Sequence, residues 1–155
     1  MTTQHNFFET KVVFDTMSDG GKVVKETESY LVDALSFSEA EARTIKEVEP
    51  YMSGEFSVEA LKRSKIYEVF ETDAENGAWF KAKVEFIVLD EEKGTEKRQA
   101  ATIMIEAESV RSATGRLKDE MKGTMSDWEL ISMAKTGIVG VIGWVEERKE
   151  KEDEN

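Results

Sequence analysis

The sequence predicts an α+β fold: an internal duplication of a ββαβ unit, with a largely antiparallel sheet and two helices. Three observations predict it. Runs of alternating apolar residues are bounded by turn residues, as half-buried strands require. Two serine-led segments with helical spacing interrupt those runs. The third observation is that one residue pattern occurs twice in the same order, as an internal repeat does. Tyr30-Leu-Val-Asp-Ala-Leu-Ser-Phe is matched by Ile103-Met-Ile-Glu-Ala-Glu-Ser-Val, and upstream Phe8-Glu-Thr-Lys-Val is matched by Phe80-Lys-Ala-Lys-Val. Continuing along the chain, Ala40 meets Ala113, Arg43 meets Arg116, Glu47 meets Glu120 and Met52 meets Met125. After a slip of one residue, Phe56 meets Trp128, Val58 meets Leu130, Leu61 meets Met133, Ile66 meets Ile138 and Val69 meets Val141. A chain of 155 residues suits one domain of ordinary size. That domain is placed at 1–145, built from repeats at about 7–71 and 79–143, with a charged and disordered tail at 146–155.

Each element has a local reason. Residues 7–14 alternate and are rich in β-formers, Asp19-Gly20-Gly21 is a turn signal, and 22–34 reads as the second strand. Ser36 and Ser38 each precede a glutamate, Glu39 and Glu41, at capping-box spacing. The helix that follows places Phe37, Ala40, Ile45 and Val48 on one face, and Pro50 and Gly54 end it. Residues 55–71 return as extended chain, and their alternation changes phase at Lys62-Arg63-Ser64-Lys65, which reads as a bulge or bend within one strand. Residues 73–77 read as a turn joining the two repeats, too short for a flexible linker. The second repeat follows with strands at 79–89 and 95–107 around a turn at 90–94. A helix at 109–121 carries Gly115, and a returning strand spans 127–145. The strands are expected to share one sheet or to form two packed ones.

Composition excludes several chemistries. With no Cys there is no disulfide, thiolate metal site or cysteine nucleophile, and one histidine, His5, cannot build a triad or a multi-histidine site. No catalytic residues, metal site or cofactor are expected, and the protein is read as a non-enzyme. No apolar run reaches the roughly 20 residues a bilayer span needs. No secretory signal is visible at the N-terminus, so a cytoplasmic protein without membrane partners is expected. The net charge of −12 disfavours duplex nucleic acid as a partner, because that association is driven by cations neutralising phosphates. The tail at 146–155 reads as a solvated extension, the alternative being an acidic arm that competes for a basic partner.

Candidate sites are few. Asp90-Glu91-Glu92 has the donors for a hard cation but lacks the further spaced acids of a calcium loop, so a solvated turn is the plainer reading. Gly137-Ile-Val-Gly-Val-Ile-Gly143 has no following helix and no Lys-Ser/Thr, and reads as a strand whose glycines permit close approach. Lys62, Arg63 and Lys65 are three bases within four residues of an acidic chain. They read either as lysine-type protection of a sheet edge or as a local site for an anionic ligand such as a nucleotide, a phosphate backbone or an acidic partner. Phe56 and Trp128 occupy matching places at the start of each returning strand, as core residues or as a pair of stacking surfaces. An exposed returning strand would allow a homodimer.

Phe8-Glu-Thr-Lys-Val, Tyr30-Leu-Val-Asp-Ala-Leu-Ser-Phe-Ser-Glu-Ala-Glu-Ala-Arg43, Ser53-Gly-Glu-Phe56 and Met121-Lys-Gly-Thr-Met-Ser-Asp127 resemble a family of uncharacterised proteins of similar length from Bacteroidetes, their phages and mobile elements. The resemblance covers nearly everything but the tail. It brings no activity and no catalytic residues, and implies a gut-bacterial or phage setting among accessory genes for replication or host takeover. The function expected is a non-enzymatic binding protein, a phage or mobile-element accessory factor acting on an anionic ligand or a macromolecular partner. The alternative is an acidic inhibitor that mimics nucleic-acid charge to block a basic host protein. A hydrolase using clustered carboxylates and a metal ranks last.

Overall fold

Two long hairpins, each followed by a serine-capped helix, organise the structure, a computed structural model that describes residues 6–143. Strands β1 (Phe7–Met17) and β2 (Val23–Asp33) pair antiparallel from Phe7 opposite Asp33 to Met17 opposite Val23. Gly21, at φ 78°, supplies the left-handed residue that closes their turn. Helix α1 (Phe37–Val48) starts where the Ser36 hydroxyl accepts the Glu39 N–H. Glu39 accepts in return from Leu35 N–H rather than from Ser36. Pro50 lies in a single 3-10 turn, Glu49–Tyr51, that carries the chain off the helix. β3 (Phe56–Ser64) then returns antiparallel to β1.

β4 (Ile66–Phe70) does not continue this sheet. It runs parallel to β6 (Thr95–Ala107), which is paired with β5 (Ala78–Asp90) in the second hairpin. Helix α2 (Val110–Glu120) begins with a reciprocal capping box between Ser109 and Ser112. β7 (Asp127–Lys135) returns antiparallel to β5, and β8 (Ile138–Ile142) runs parallel to β2. The result is an α+β fold with two helices and two mostly antiparallel sheets, ordered β3-β1-β2-β8 and β4-β6-β5-β7.

The chain divides into two compact units. One holds the described residues up to Ser64 together with those from Gly137, and the other is Lys65–Thr136. Three sequence expectations change accordingly. The phase change at Lys62–Lys65 is not a bend within one strand, because Ser64 ends β3 in one unit and Ile66 opens β4 in the other. The 127–145 strand is likewise two strands in different sheets. The turn at 73–77 lies inside the second unit, between β4 and β5, and the chain passes between units at Ser64/Lys65 and Thr136/Gly137.

True bulges sit elsewhere. From Lys11 to Val12 the β3 partner moves from Ala60 to Val58, leaving Glu59 over, and from Lys83 to Val84 the β7 partner moves from Ser132 to Leu130, leaving Ile131 over.

Each unit packs its helix on its own sheet. In the first, Phe8, Val32, Ala34, Ala40 and Ile142 form the core, with Tyr30 and Leu61 against it. In the second, Phe80, Ala82, Val84, Ile103, Ile105 and Leu117 are buried, with Phe86, Trp128, Leu130 and Met133 against them. The buried face of α1 is Ala40, Thr44 and Val48, so it is turned from the expected one. Thr44 takes the central place, and Phe37 stays 43% exposed. Glycine matters most at Gly143, whose φ of 91° and whose approach to Asp33 O and Arg43 leave no room for a Cβ. Among the described residues no helix is long and apolar enough to cross a membrane. The expectations for His5 and for the tail at 146–155 lie outside the described residues.

Candidate functional site

The residues singled out in the sequence are placed separately. Lys62 and Arg63 are neighbours on β3, so alternation sends them to opposite faces of the sheet. Lys62 lies opposite Glu9 in the ladder, with its Nζ 3.5 Å from that carboxylate. Arg63 lies opposite Phe8, and its guanidinium sits 5.3 Å from the Phe8 ring and 5.2 Å from the Phe37 ring, which meet edge to face. Lys65 is an exposed residue at the passage into the second unit. The three bases therefore do not converge as a free cluster of positive charge.

Phe56 and Trp128 occupy corresponding ladder positions, opposite Phe14 and Phe86 respectively. Trp128 packs against the second unit's core, while Phe56 borders a hollow of about 140 Å³ with Val13, Phe14, Lys25 and Glu59.

The larger cavity, about 440 Å³, lies in the first unit, and sequence reasoning missed it. Its origin is the way α1 ends. Val48 is the last buried helical residue, Pro50 then forces the 3-10 turn, and Tyr51 to Glu55 arch over the outer half of the hairpin. β1 contributes Phe14, Asp15 and Thr16 to the lining, and β2 contributes Glu28 and Tyr30. Among the described residues, three acidic ones, Asp15, Glu28 and Glu55, line the cavity and no base does. Three aromatic residues, Phe14, Tyr30 and Tyr51, and the apolar Val48 and Met52 complete most of the rest.

The Tyr30 hydroxyl donates to Glu28 Oε2 at 2.6 Å. Burial pushes the phenol well above its ordinary range, and the carboxylates of Glu28 and Glu47 add to the effect. Tyr30 is therefore a neutral donor throughout the physiological range, in a locally negative environment. A cavity of this size with an apolar wall and a few converging polar groups has the form of a small-ligand site.

The corresponding part of the second unit is built differently. Tyr30 lies opposite Thr10 as Ile103 lies opposite Ala82, and Glu28 lies opposite Val12 as Ala101 lies opposite Val84. Asp15 opposite Lys25 corresponds to Ile87 opposite Arg98. There Ile103 and Met121 are buried, with Ala101, Phe86 and Trp128 packed on them. The signal that could have found the cleft was thus in the sequence, as polar residues at places where the matching strand is apolar.

Two other features are internally satisfied. Arg116 holds Glu108 at 2.7 Å and also bonds Asp73, and its hydrogen bonds keep both carboxyls below the usual range. Asp90 Oδ1 accepts from the N–H groups of Glu92 and Lys93, the local pairing of an Asx turn.

No curated protein matches the chain. The model of one protein family matches residues 6–144, which is nearly every residue of both units. The chain belongs to that family, described as a domain of unknown function, DUF4494.

Proposed function

We propose that this protein is a non-enzymatic binding protein and that the first unit's cleft takes a cationic group, as a basic partner would present. The observation that carries this is the 440 Å³ cavity whose lining, among the described residues, holds three acids and no base. Among the described residues, Asp15, Glu28 and Glu55 make no ion pair with a lysine or arginine, Lys25 lying opposite Asp15 in the ladder, so a bound cation adds attraction at the lining. Phe14 and Tyr51 add apolar or π surface for the stem of such a group. The net charge of −12 favours encounter with a basic partner over long range.

The anionic-ligand reading of Lys62, Arg63 and Lys65 has weaker support. One base faces a carboxylate and another lies over two rings. The setting we propose is that of an accessory factor of a phage or mobile element in Bacteroidetes, with a basic host protein as the partner to be blocked. We also read the chain as a duplicated ββαβ unit. In support, Ala40 and Ala113 are both fully buried, and the two bulges fall at corresponding residues. The second copy kept an apolar interior where the first acquired the cleft.

The test is titration of a lysine- and arginine-rich peptide into the protein, at low and at raised salt. Glu28→Gln with Glu55→Gln is expected to weaken binding strongly. Removing equal charge at the exposed turn, with Glu91→Gln and Glu92→Gln, should have little effect. Equal losses from the two pairs would mean that only net charge is being read, and the cleft would have no role.

A further inference from the structure

We infer that β8 is exchangeable between copies of this chain, giving a domain-swapped dimer in which each chain's β8 completes the other's first sheet and backs its cleft. Three observations lead there. First, among the described residues the five-residue β8 lies at the edge of its sheet and pairs with β2, and it carries the buried Ile138 and Ile142. An identical strand from another copy can make the same ladder with β2 and bury the same two isoleucines. Second, only Thr136 and Gly137 separate β8 from β7, which belongs to the other unit. A short connection between separately packed elements is what makes a hinge prone to open into a swap. A Cβ built on Gly137 would meet nothing, whereas Thr136 is anchored by its N–H and hydroxyl to Trp79 O, so the turn into β8 pivots at Gly137.

Third, the β8 ladder joins Ser29 to Ile138 and Val32 to Ile142, among the most distant pairings in sequence that the ladders contain. Contacts of such separation form late in folding, so the β2 edge stays open while the rest of its unit assembles. At high protein concentration, a second copy's β8 then competes with the chain's own.

The consequence reaches the cleft. Gly140 lies opposite Tyr30 in the ladder, and a Cβ there would stand 3.4 Å from the Tyr30 ring. The strand that supports the phenol of the cleft would therefore come from the partner copy, and a dimer would carry two complete clefts. This inference stands on topology and does not depend on the ligand being cationic.

The absence of native cysteine makes the test clean. The double variant Ser29→Cys/Ile138→Cys should form its disulfide within one chain, since adjacent strands lie in bridging range. Single variants Ser29→Cys and Ile138→Cys, unfolded together and refolded at rising concentration, should yield a disulfide-linked heterodimer in increasing proportion. The same two variants mixed after folding should yield little. As an independent measurement on the unmodified strands, lengthening the hinge by Gly-Gly after Thr136 should lower the dimer fraction severalfold in light scattering. If the double variant crosslinks internally while co-refolded single variants give no heterodimer at any concentration, β8 is not exchanged. A dimer fraction unmoved by the longer hinge would equally overturn the inference.

Discussion

Thr10 and Thr44 offer a sharp test of how the first unit is held together. Both are fully buried, and their hydroxyl oxygens lie 3.2 Å apart, one on β1 and one on α1. Thr44 also donates to Ala40 O at 2.8 Å, which uses its single proton, so Thr10 must be the donor in the pair. Thr44→Val keeps the shape and removes the acceptor. The Thr10 hydroxyl is then buried with nothing to receive its proton, at an expected cost of about 1–3 kcal/mol.

The second unit packs its helix on its sheet through apolar side chains. Ala82 and Leu117 stand at the matching strand and helix positions and are fully buried. Thr10→Ala combined with Thr44→Val removes donor and acceptor together, so it should lie within about 1.5 kcal/mol of wild type. The double-mutant cycle should then show a coupling of at least about 1 kcal/mol. Urea denaturation followed by circular dichroism measures it, with an unchanged m-value as the check that the denatured state has not altered. A loss below about 0.5 kcal/mol for Thr44→Val, or a double variant as unstable as its two single changes added, would refute the reasoning.

Three further outcomes are expected. Gly143→Ala should cost about 1–3 kcal/mol in a denaturant titration, since its φ is 91° and the new Cβ would stand 2.7 Å from Arg43 Nη1 and 3.0 Å from Asp33 O. Gly20→Ala, with open space around it, serves as the control and should cost far less. Arg63→Ala should cost about 1 kcal/mol by removing the cation over Phe8 and Phe37, whereas Lys62→Ala, whose partner is a surface carboxylate, should cost less than about 0.5 kcal/mol. Equal costs would mean the ring contact contributes nothing. Arg116→Gln should lower the melting temperature at neutral pH, and the deficit should shrink in acid. Hydrogen bonds from Arg116 hold the Asp73 and Glu108 carboxyls below their ordinary range in the folded protein. Their contribution is therefore present above the unfolded carboxylate pKa and lost as pH falls through the depressed values. A deficit that stays constant into acid would show that Arg116 acts by packing alone.

Local structure was legible in the residues, because the forces that set it act over a few positions. A serine oxygen meets an N–H three positions on, so Ser36 and Ser109 could be read as helix starts, and both cap. Asp19-Gly20-Gly21 and the turn after Asp90 likewise lie between the hairpin strands that the alternation marks. The residue family was also legible, since it rests on residue identity alone. Which sheet each strand joins was not legible there and emerges on folding. The alternation in Ile66–Phe70 says which side chains are buried, not that the partner is β6 rather than β1, because backbone hydrogen bonds are the same for every partner. The stretch Lys62–Lys65 therefore read as a bend within one strand when it holds a passage between units. The polar character of Glu28 and Tyr30 was legible, but that they line a cleft was not, because the space above them is left by the turn after α1. The charge of Lys62 and Arg63 was visible as composition, but whether it is free depends on Glu9, Phe8 and Phe37, which come from other elements and meet these bases only when the chain is folded.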